Sequence, residues 1–169
     1  MDVFDAIQTR RSVRRFTAER VTPEQVETVL RAAMAAPSAG NSRPWRFVVV
    51  DDANLLAKIP SLSPYMGMAD KAPLGILVCG DTTVEKHPGY WVQDCSAAIQ
   101  NMLLAVTGQG LGAVWCGIHP VAERVQGFKN FFALPEHIIP LGFVVVGHPE
   151  NHPEPADRYD PAAIHRNGW

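Results

Sequence analysis

The chain has 169 residues, of which 47% are hydrophobic and 19% charged, and its formal net charge at pH 7 is −2. These values are typical of a globular chain about one domain long, and they argue against a disordered protein or a general nucleic-acid binder. No apolar run is long enough to cross a membrane, and the N-terminus is acidic where a signal peptide would be basic, so we expect a cytoplasmic protein that binds neither membrane nor nucleic acid.

The first predicted element is a short helix that begins after Asp2, because Val3, Phe4 and Ile7 recur at helical spacing behind a suitable N-cap. It leads into Arg10-Arg11-Ser12-Val13-Arg14-Arg15-Phe16. Four arginines this close together repel one another unless a multivalent anion or several carboxylates lie among them. A basic run is often only a solvated surface, so the segment alone leaves both interpretations open.

A second helix is predicted from Pro23 to about Met34, since Thr22 and Gln25 have the spacing of a capping box. The segment from Ala36 to Trp45 follows, and its turn-forming residues let backbone amides and the side chains of Ser38 and Asn41 point at a ligand. Alternatively, the segment is only a helix stop followed by a strand entry.

The remaining chain alternates strands and helices. Phe47–Val50 is expected to be a strand covered on both faces, and an irregular loop is expected over Pro60–Pro73. Further strands are predicted at 74–78, 113–117 and 139–146, and helices at 55–59, 90–109 and 121–132, that at 90–109 being central. Residues 150–169 contain too much proline for a helix and too many aromatic residues for a simple disordered tail. We therefore predict a single α+β domain over 1–169, a mixed sheet flanked by helices on both faces, with an extended C-terminal arm at 150–169.

Two other kinds of site are not favoured by the pattern. Gly108, Gly110 and Gly112 have the wrong spacing for a dinucleotide-binding turn and follow a helix. His148 and His152 could be imagined as metal ligands, but the prolines beside them prevent the helix that would align them, so no metal is expected. The three cysteines, Cys79, Cys95 and Cys116, are widely spaced, which argues against a disulfide framework. Cys79 and Cys95 are expected to lie in the core.

Several of these segments, in this order, resemble the FMN-dependent nitroreductase family. The likeness is carried by the arginine run, Pro37-Ser38 through Pro44-Trp45, the central helix, Trp115-Cys116-Gly117, and Asp157-Arg158-Tyr159. Two departures are Arg43, where the family usually has glutamine, and the short chain.

The resemblance implies a homodimer with two FMN sites at its interface. The cofactor-binding residues that it implies are Arg10, Arg11, Ser12, Arg14 and Arg158 around the phosphate and pyrimidine edge, Pro37, Ser38, Ala39 and Asn41 from the partner chain, and Trp115, Cys116 and Gly117 along the flavin ring. A backbone amide near Gly117 would reach flavin N5. Arginine suits a phosphate with nearly two negative charges because it binds in a bidentate manner.

The implied function is an oxidoreductase that passes electrons from NADPH or NADH through FMN to a small-molecule acceptor, a nitroaromatic or quinone, by a ping-pong mechanism. No side chain need act as acid, base or nucleophile, so no catalytic residue is predicted. Two alternatives remain open at this stage. One is a flavin-processing or dehalogenating enzyme of the same fold, and the other is a non-catalytic flavin- or nucleotide-binding module.

Overall fold

A four-stranded sheet lies at the centre of the computed structural model, which describes residues 1–169, and its strands stand in the order β1-β2-β4-β3. They are β1 (Trp45–Val50), β2 (Leu74–Asp81), β3 (Gly112–Gly117) and β4 (Ile138–Gly147). The α+β class is confirmed. Every pairing between these strands is antiparallel, however, and the one parallel contact is an isolated bridge between Ser12 and Ala113.

The expected mixed sheet was therefore wrong in strand direction. A helix between two strands need not carry the chain to the far end of the sheet, so strands that alternate with helices can still pair in antiparallel fashion. The end of β3 pairs with the beginning of β4, as Gly117 lies opposite Gly142. The helix between these strands consequently returns the chain to the same end of the sheet.

Helices cover both faces of the sheet, as predicted. They are α1 (Val3–Thr9), α2 (Pro23–Met34), α3 (Ala53–Leu56), α4 (Trp91–Gly108) and α5 (Ala122–Phe131). One hydrophobic core lies between the sheet and α2 with α4, and the other contains Leu56 of α3 and Phe128 of α5. Short 3₁₀ turns at Ile59–Leu62 and Gly67–Lys71 add Ile59 and Ala69 to the second core. The segment predicted as an irregular loop is thus partly ordered by burial.

The start of α2 has the predicted capping box. The Thr22 hydroxyl accepts from the Gln25 amide at 3.3 Å, and the Thr22 amide donates to Gln25 Oε1 at 2.9 Å. Pro23 occupies the first turn, where its missing N–H costs nothing. The helix then buries Val29 and Ala33 against the sheet and α4.

Two apolar segments are more exposed than their patterns suggested. β1 is an edge strand, and Val49 is 40% exposed where coverage on both faces was expected. The helical spacing of Val3, Phe4 and Ile7 is confirmed, but these side chains are 59%, 73% and 52% exposed. Within one chain, nothing covers the apolar face of α1.

The C-terminal arm is extended, as predicted, and all of residues 151–169 are exposed, with a single turn at Pro161–Ala163. The three cysteines are free and buried. No group of His, Cys, Asp or Glu is arranged to hold a metal ion. None of the helices combines the length and apolar character needed to cross a membrane.

Candidate functional site at the free edge of β3

The outer edge of β3 offers backbone groups that the sheet does not use. The Ile118 amide donates to the Leu141 carbonyl of the neighbouring strand at 3.0 Å. Hydrogen bonding alternates along an antiparallel pair, so the amides and carbonyls of Gly117, Trp115 and Ala113 face away from β4. Beyond Ala113 no other segment pairs with this edge. The Trp115 and Gly117 amides are therefore donors available to a ligand.

The segment after α1 lies against the beginning of this edge. The Val13 amide donates to the Ala113 carbonyl at 2.9 Å, and Ser12 forms the parallel bridge with Ala113. Gly112 makes the approach possible, since a Cβ there would meet the Val13 side chain at 2.8 Å. The arginine run is thus fixed to β3 by backbone contacts.

Arg10 lies in a cluster of positive charge. Burial lowers its pKa below the ordinary value for arginine, and the nearby charges of Arg158 and Arg11 lower it further. None of these three guanidinium groups has a carboxylate within ion-pair distance. The three ion pairs of the chain are formed by other residues. Like charges held together without a counterion form a place that an anion would stabilise.

Arg11 has a different environment from its neighbours. Its guanidinium donates to the carbonyls of Gln8, Arg10, Glu154 and Ala156, at 2.9, 2.7, 3.1 and 3.3 Å. These bonds connect the end of α1 to the root of the arm. A guanidinium has five N–H groups, so about one remains for a ligand. The main role that this geometry supports for Arg11 is to hold the arm beside Arg10.

Trp115, Cys116 and Gly117 form the far part of the edge. The Trp115 side chain is 37% exposed and lies over Gly142, where a Cβ would clash with its indole nitrogen. Cys116 is buried, and burial raises the pKa of its thiol although the charge of Arg14 opposes the effect.

The turn after α2 has an unusual backbone. Asn41 and Arg43 have positive φ values of 55° and 49°, which side chains rarely adopt and which cost free energy unless the surroundings impose them. Hydrogen bonds impose them here: the Arg43 amide donates to Ser38 Oγ, and Lys86 Nζ donates to the Gly40 carbonyl. Backbone strain held in this way occurs often at ligand sites.

The structure does not bring this turn to the arginines of the same chain. The Ala39 amide donates at 3.0 Å to Asp94, in the first turn of α4. Arg11 instead lines a small cavity with Thr107, near the end of α4. At a rise of about 1.5 Å per residue, these two positions on α4 are about 20 Å apart. Pro37, Ser38, Ala39 and Asn41 thus form one group, and the arginines with residues 115–117 form another.

Two further residues of this region are not among those predicted from the sequence. Asp94 is only 6% exposed and carries the turn through its bond to Ala39. Arg124 of α5 donates from Nη1 to the outward carbonyl of Gly117 at 3.3 Å and lies over the ring of Tyr65, 5.0 Å from its centroid. The acidic position in the first turn of a predicted helix was a usable signal for Asp94. No local pattern connected Arg124 with β3.

Another cavity lies away from this edge. It has a volume of about 780 Å³ and lies between the start of α2 and the end of β1, where Val26, Leu30 and Val49 contribute apolar surface. None of the predicted cofactor-binding residues lines it. The predicted cofactor-binding residues of β3 and the arginine run therefore lie at an open edge of the sheet and not in this cavity.

Comparisons with known proteins find relatives of this chain both in sequence and in structure. The sequence profile of the Nitroreductase family matches residues 7–64 and 61–148. A protein of Methanothermobacter thermautotrophicus, provisionally named as an NADH dehydrogenase/NAD(P)H nitroreductase, is 47% identical over 169 residues, which span all of this chain and 88% of that protein.

Two solved structures are similar throughout. The crystal structure of a provisionally assigned NADH oxidase from Clostridium acetobutylicum has a TM-score of 0.95 and 40% identity, covering 98% of this chain and 100% of that one. A provisionally assigned nitroreductase from Desulfovibrio desulfuricans, crystallised in complex with FMN, has a TM-score of 0.84 and 32% identity, covering 100% and 98%.

Proposed function

Because the chain belongs to the Nitroreductase family, we propose that it is an FMN-dependent oxidoreductase that uses NADPH or NADH to reduce a small-molecule acceptor such as a nitroaromatic or a quinone. The observation that carries the proposal is the free edge of β3, with an unpaired cluster of arginines at one end and outward amides at the other. Support also comes from the 32% identical relative that was crystallised with FMN.

The phosphate of FMN fits the cluster around Arg10. In this proposal Arg10, Ser12 and Arg158 hold the phosphate, and Arg14 lies toward the pyrimidine edge, where its charge favours the reduced cofactor. Arg11 contributes mainly by fixing the arm that carries Arg158, through the carbonyls of Glu154 and Ala156.

The flavin ring fits the far part of the edge. Trp115 and Cys116 would lie along it, and the outward amide of Gly117 would donate to flavin N5. Bound FMN supplies the redox chemistry, since it can accept electrons from a reduced nicotinamide and pass them to an acceptor. The chain's own contribution is to orient the ring and to stabilise the charge that develops on it.

A homodimer completes the site in this proposal. Pro37, Ser38, Ala39 and Asn41 are too far from the arginines of their own chain to share a ligand with them, so a second copy would supply this turn. The exposed apolar face of α1 and the exposed aromatic residues of the arm, with Tyr159 at 74% exposure and Trp169 fully exposed, are suited to an interface.

The cofactor is tested by its identity. The purified protein should be yellow, and mass spectrometry of the released ligand should find FMN in preference to FAD, because a terminal phosphate suits the arginines and no pyrophosphate-binding glycine turn is present. Absence of flavin after reconstitution, or FAD alone, would overturn the assignment.

Kinetics test the order of events. If donor and acceptor use one flavin face in turn, initial-rate plots at several acceptor concentrations should give parallel lines. In stopped-flow experiments, NADPH or NADH alone should bleach the flavin absorbance, and a quinone should restore it. Intersecting lines, or bleaching only with both substrates present, would show that the substrates bind together. Failure of both nicotinamides to bleach bound FMN would favour a flavin-processing enzyme or a binding protein instead.

A further inference from the structure

Arg124 is a positive group held at the end of β3 without a counterion. Its Nη1 donates to the Gly117 carbonyl at 3.3 Å, and this is its only hydrogen bond within the chain. The ion pairs of the chain leave it out. Of the five guanidinium N–H groups, about four are therefore available to another molecule.

Tyr65 holds the guanidinium in place. The carbon of the guanidinium lies 5.0 Å from the centre of the Tyr65 ring, a geometry in which the cation is attracted to the face of the ring. The Tyr65 backbone is itself fixed to β3, because the Cys116 thiol donates to its carbonyl at 3.6 Å. A cation that is already ordered loses little further freedom when it binds an anion.

The position of Arg124 separates it from the arginine cluster at the other end of the edge. Ala113 contacts the segment after α1, whereas Gly117 contacts Arg124. At about 3.4 Å per residue, these two positions on β3 are about 14 Å apart. In the proposed function Arg10 and Arg158 hold the FMN phosphate, which leaves Arg124 available to another anion.

We infer that Arg124, stacked on Tyr65 beside Gly117, binds the phosphate groups of the nicotinamide dinucleotide that donates the electrons. The inference rests on the proposed function, in which the reactive end of the flavin lies near Gly117. Guanidinium groups bind phosphate in a bidentate manner. The donor carries a pyrophosphate, whereas a simple quinone or nitroaromatic carries no charge, so Arg124 distinguishes the donor from the acceptor.

The test compares charged and uncharged donors on the FMN-loaded enzyme. In Arg124→Gln, kcat/KM for NADH and NADPH should fall by about ten- to a hundred-fold, the effect of losing a charge-assisted contact. The same parameter for 1-benzyl-1,4-dihydronicotinamide, an uncharged donor, should not change. Arg20→Gln is the matched control, because it removes an exposed cation that lies beside the 780 Å³ cavity and away from β3.

Equilibrium binding supplies a readout that does not depend on turnover. Isothermal titration of the FMN-loaded enzyme with NAD⁺ and NADP⁺ should show weaker binding in Arg124→Gln by a similar factor, and higher salt should reduce the difference between variant and wild type. Equal losses for the two dinucleotides indicate contact with the pyrophosphate, and a larger loss for NADP⁺ indicates contact with the 2′-phosphate. Either result supports the inference.

Unchanged binding of both dinucleotides would overturn the inference. So would an equal loss of kcat/KM with the uncharged donor, because this would assign Arg124 a role in the flavin site itself. A loss confined to nitrobenzoate, with nitrobenzene and the dinucleotides unaffected, would assign Arg124 to the acceptor. Failure of the wild-type enzyme to bind FMN, or to oxidise any of the three donors, would count against the proposed function instead.

Discussion

Arg10 shows how a single side chain can weaken the protein alone and strengthen its complex. Its guanidinium is partly buried near Arg158 and Arg11, and both burial and these charges lower its pKa. In the protein without a ligand, this arrangement costs free energy because like charges are held together. An anion bound among them reverses the sign of the interaction. Arg10 is therefore expected to stabilise the protein only when an anion is bound.

Replacement of Arg10 by alanine should separate these two effects. FMN affinity should fall by about ten- to a hundred-fold because one charge-assisted contact is lost. The melting temperature of the FMN-free protein should stay the same or rise, because a repelling charge has been removed. Fluorescence titration and thermal unfolding measure the two quantities. Arg15→Ala, in the same run but outside the predicted site, is the control, and unchanged FMN affinity in Arg10→Ala would show that Arg10 faces solvent.

The turn after α2 shows how one element orders another. Asp94 is buried in the first turn of α4, where the positive end of the helix dipole favours a carboxylate. Its Oδ1 accepts from the Ala39 amide and so fixes a turn in which Asn41 and Arg43 have strained backbones. The carboxylate of α4 thus adds to the hydrogen bonds within the turn and from Lys86 that hold its conformation.

Asp94→Ala should loosen this turn and leave the rest of the fold intact. Hydrogen exchange of the peptide covering residues 36–45 should become faster, and the free energy of unfolding should fall by about 1–3 kcal/mol, the cost of an amide left without its acceptor. FMN affinity should fall too, because the turn of one copy completes the site of the other. Asp94→Asn retains an acceptor oxygen and should behave more like the wild type. Exchange unchanged in Asp94→Ala would show that the turn is held by its own bonds alone.

An ion pair between Arg46 and Asp81 connects the start of the edge strand β1 to the end of β2. Asp81 at the end of β2 accepts from Arg46 Nη2 at 2.7 Å and from the amide and hydroxyl of Thr83. Burial acts to raise the pKa of Asp81, but the Thr83 bonds and the charge of Arg46 outweigh burial, and the pKa lies below its ordinary value. The charged form of Asp81 is thus the form that stabilises this end of the sheet.

A lowered pKa in the folded state gives stability that is present above the unfolded value, about 3.9 for aspartate, and is lost as the pH falls through the folded value. Asp81→Asn should therefore be less stable than the wild type at pH 7, by about 1 kcal/mol because Arg46 is half exposed. The difference should shrink below about pH 4. Urea unfolding between pH 3 and pH 7 measures it, and a constant difference across this range would contradict the role of the charge.

At the scale of the whole molecule, the helices and strands could be predicted from local sequence patterns more completely than the way in which they pack together. The capping residues of α2 and the apolar stripe of α4 act within a few residues, so their prediction needed no knowledge of the fold. Strand direction depends on which strands become neighbours. The bonds of Arg11 to the carbonyls of Glu154 and Ala156 join residues far apart in the chain. The family resemblance already implied that the turn after α2 serves the partner chain, and the separation of that turn from the arginines of its own chain is consistent with this expectation.

Removal of the arm should disrupt assembly. A chain ending at Glu150 should lose dimer and bound FMN, because it lacks Tyr159 and Trp169, which are exposed in their own chain, and Arg158. Light scattering and flavin absorbance measure the two losses. Arg158→Ala in the full chain is the control: it should reduce FMN binding without dissociating the dimer. A truncated dimer with full flavin content and unchanged stability would contradict the arm's role.

Each of the two hydrophobic cores contains at least one buried cysteine whose reactivity can report on local opening. Cys95 belongs to the core under α2 and α4, and Cys79 and Cys116 to the core on the opposite face. Burial raises the pKa of both Cys79 and Cys95 to about 12, so at neutral pH neither is a thiolate in the folded protein. Since thiolates are the species that alkylating reagents attack, each cysteine reacts only in molecules that have opened around it. Site-resolved labelling rates would therefore separate the local openings of the two faces, without a probe having to be introduced.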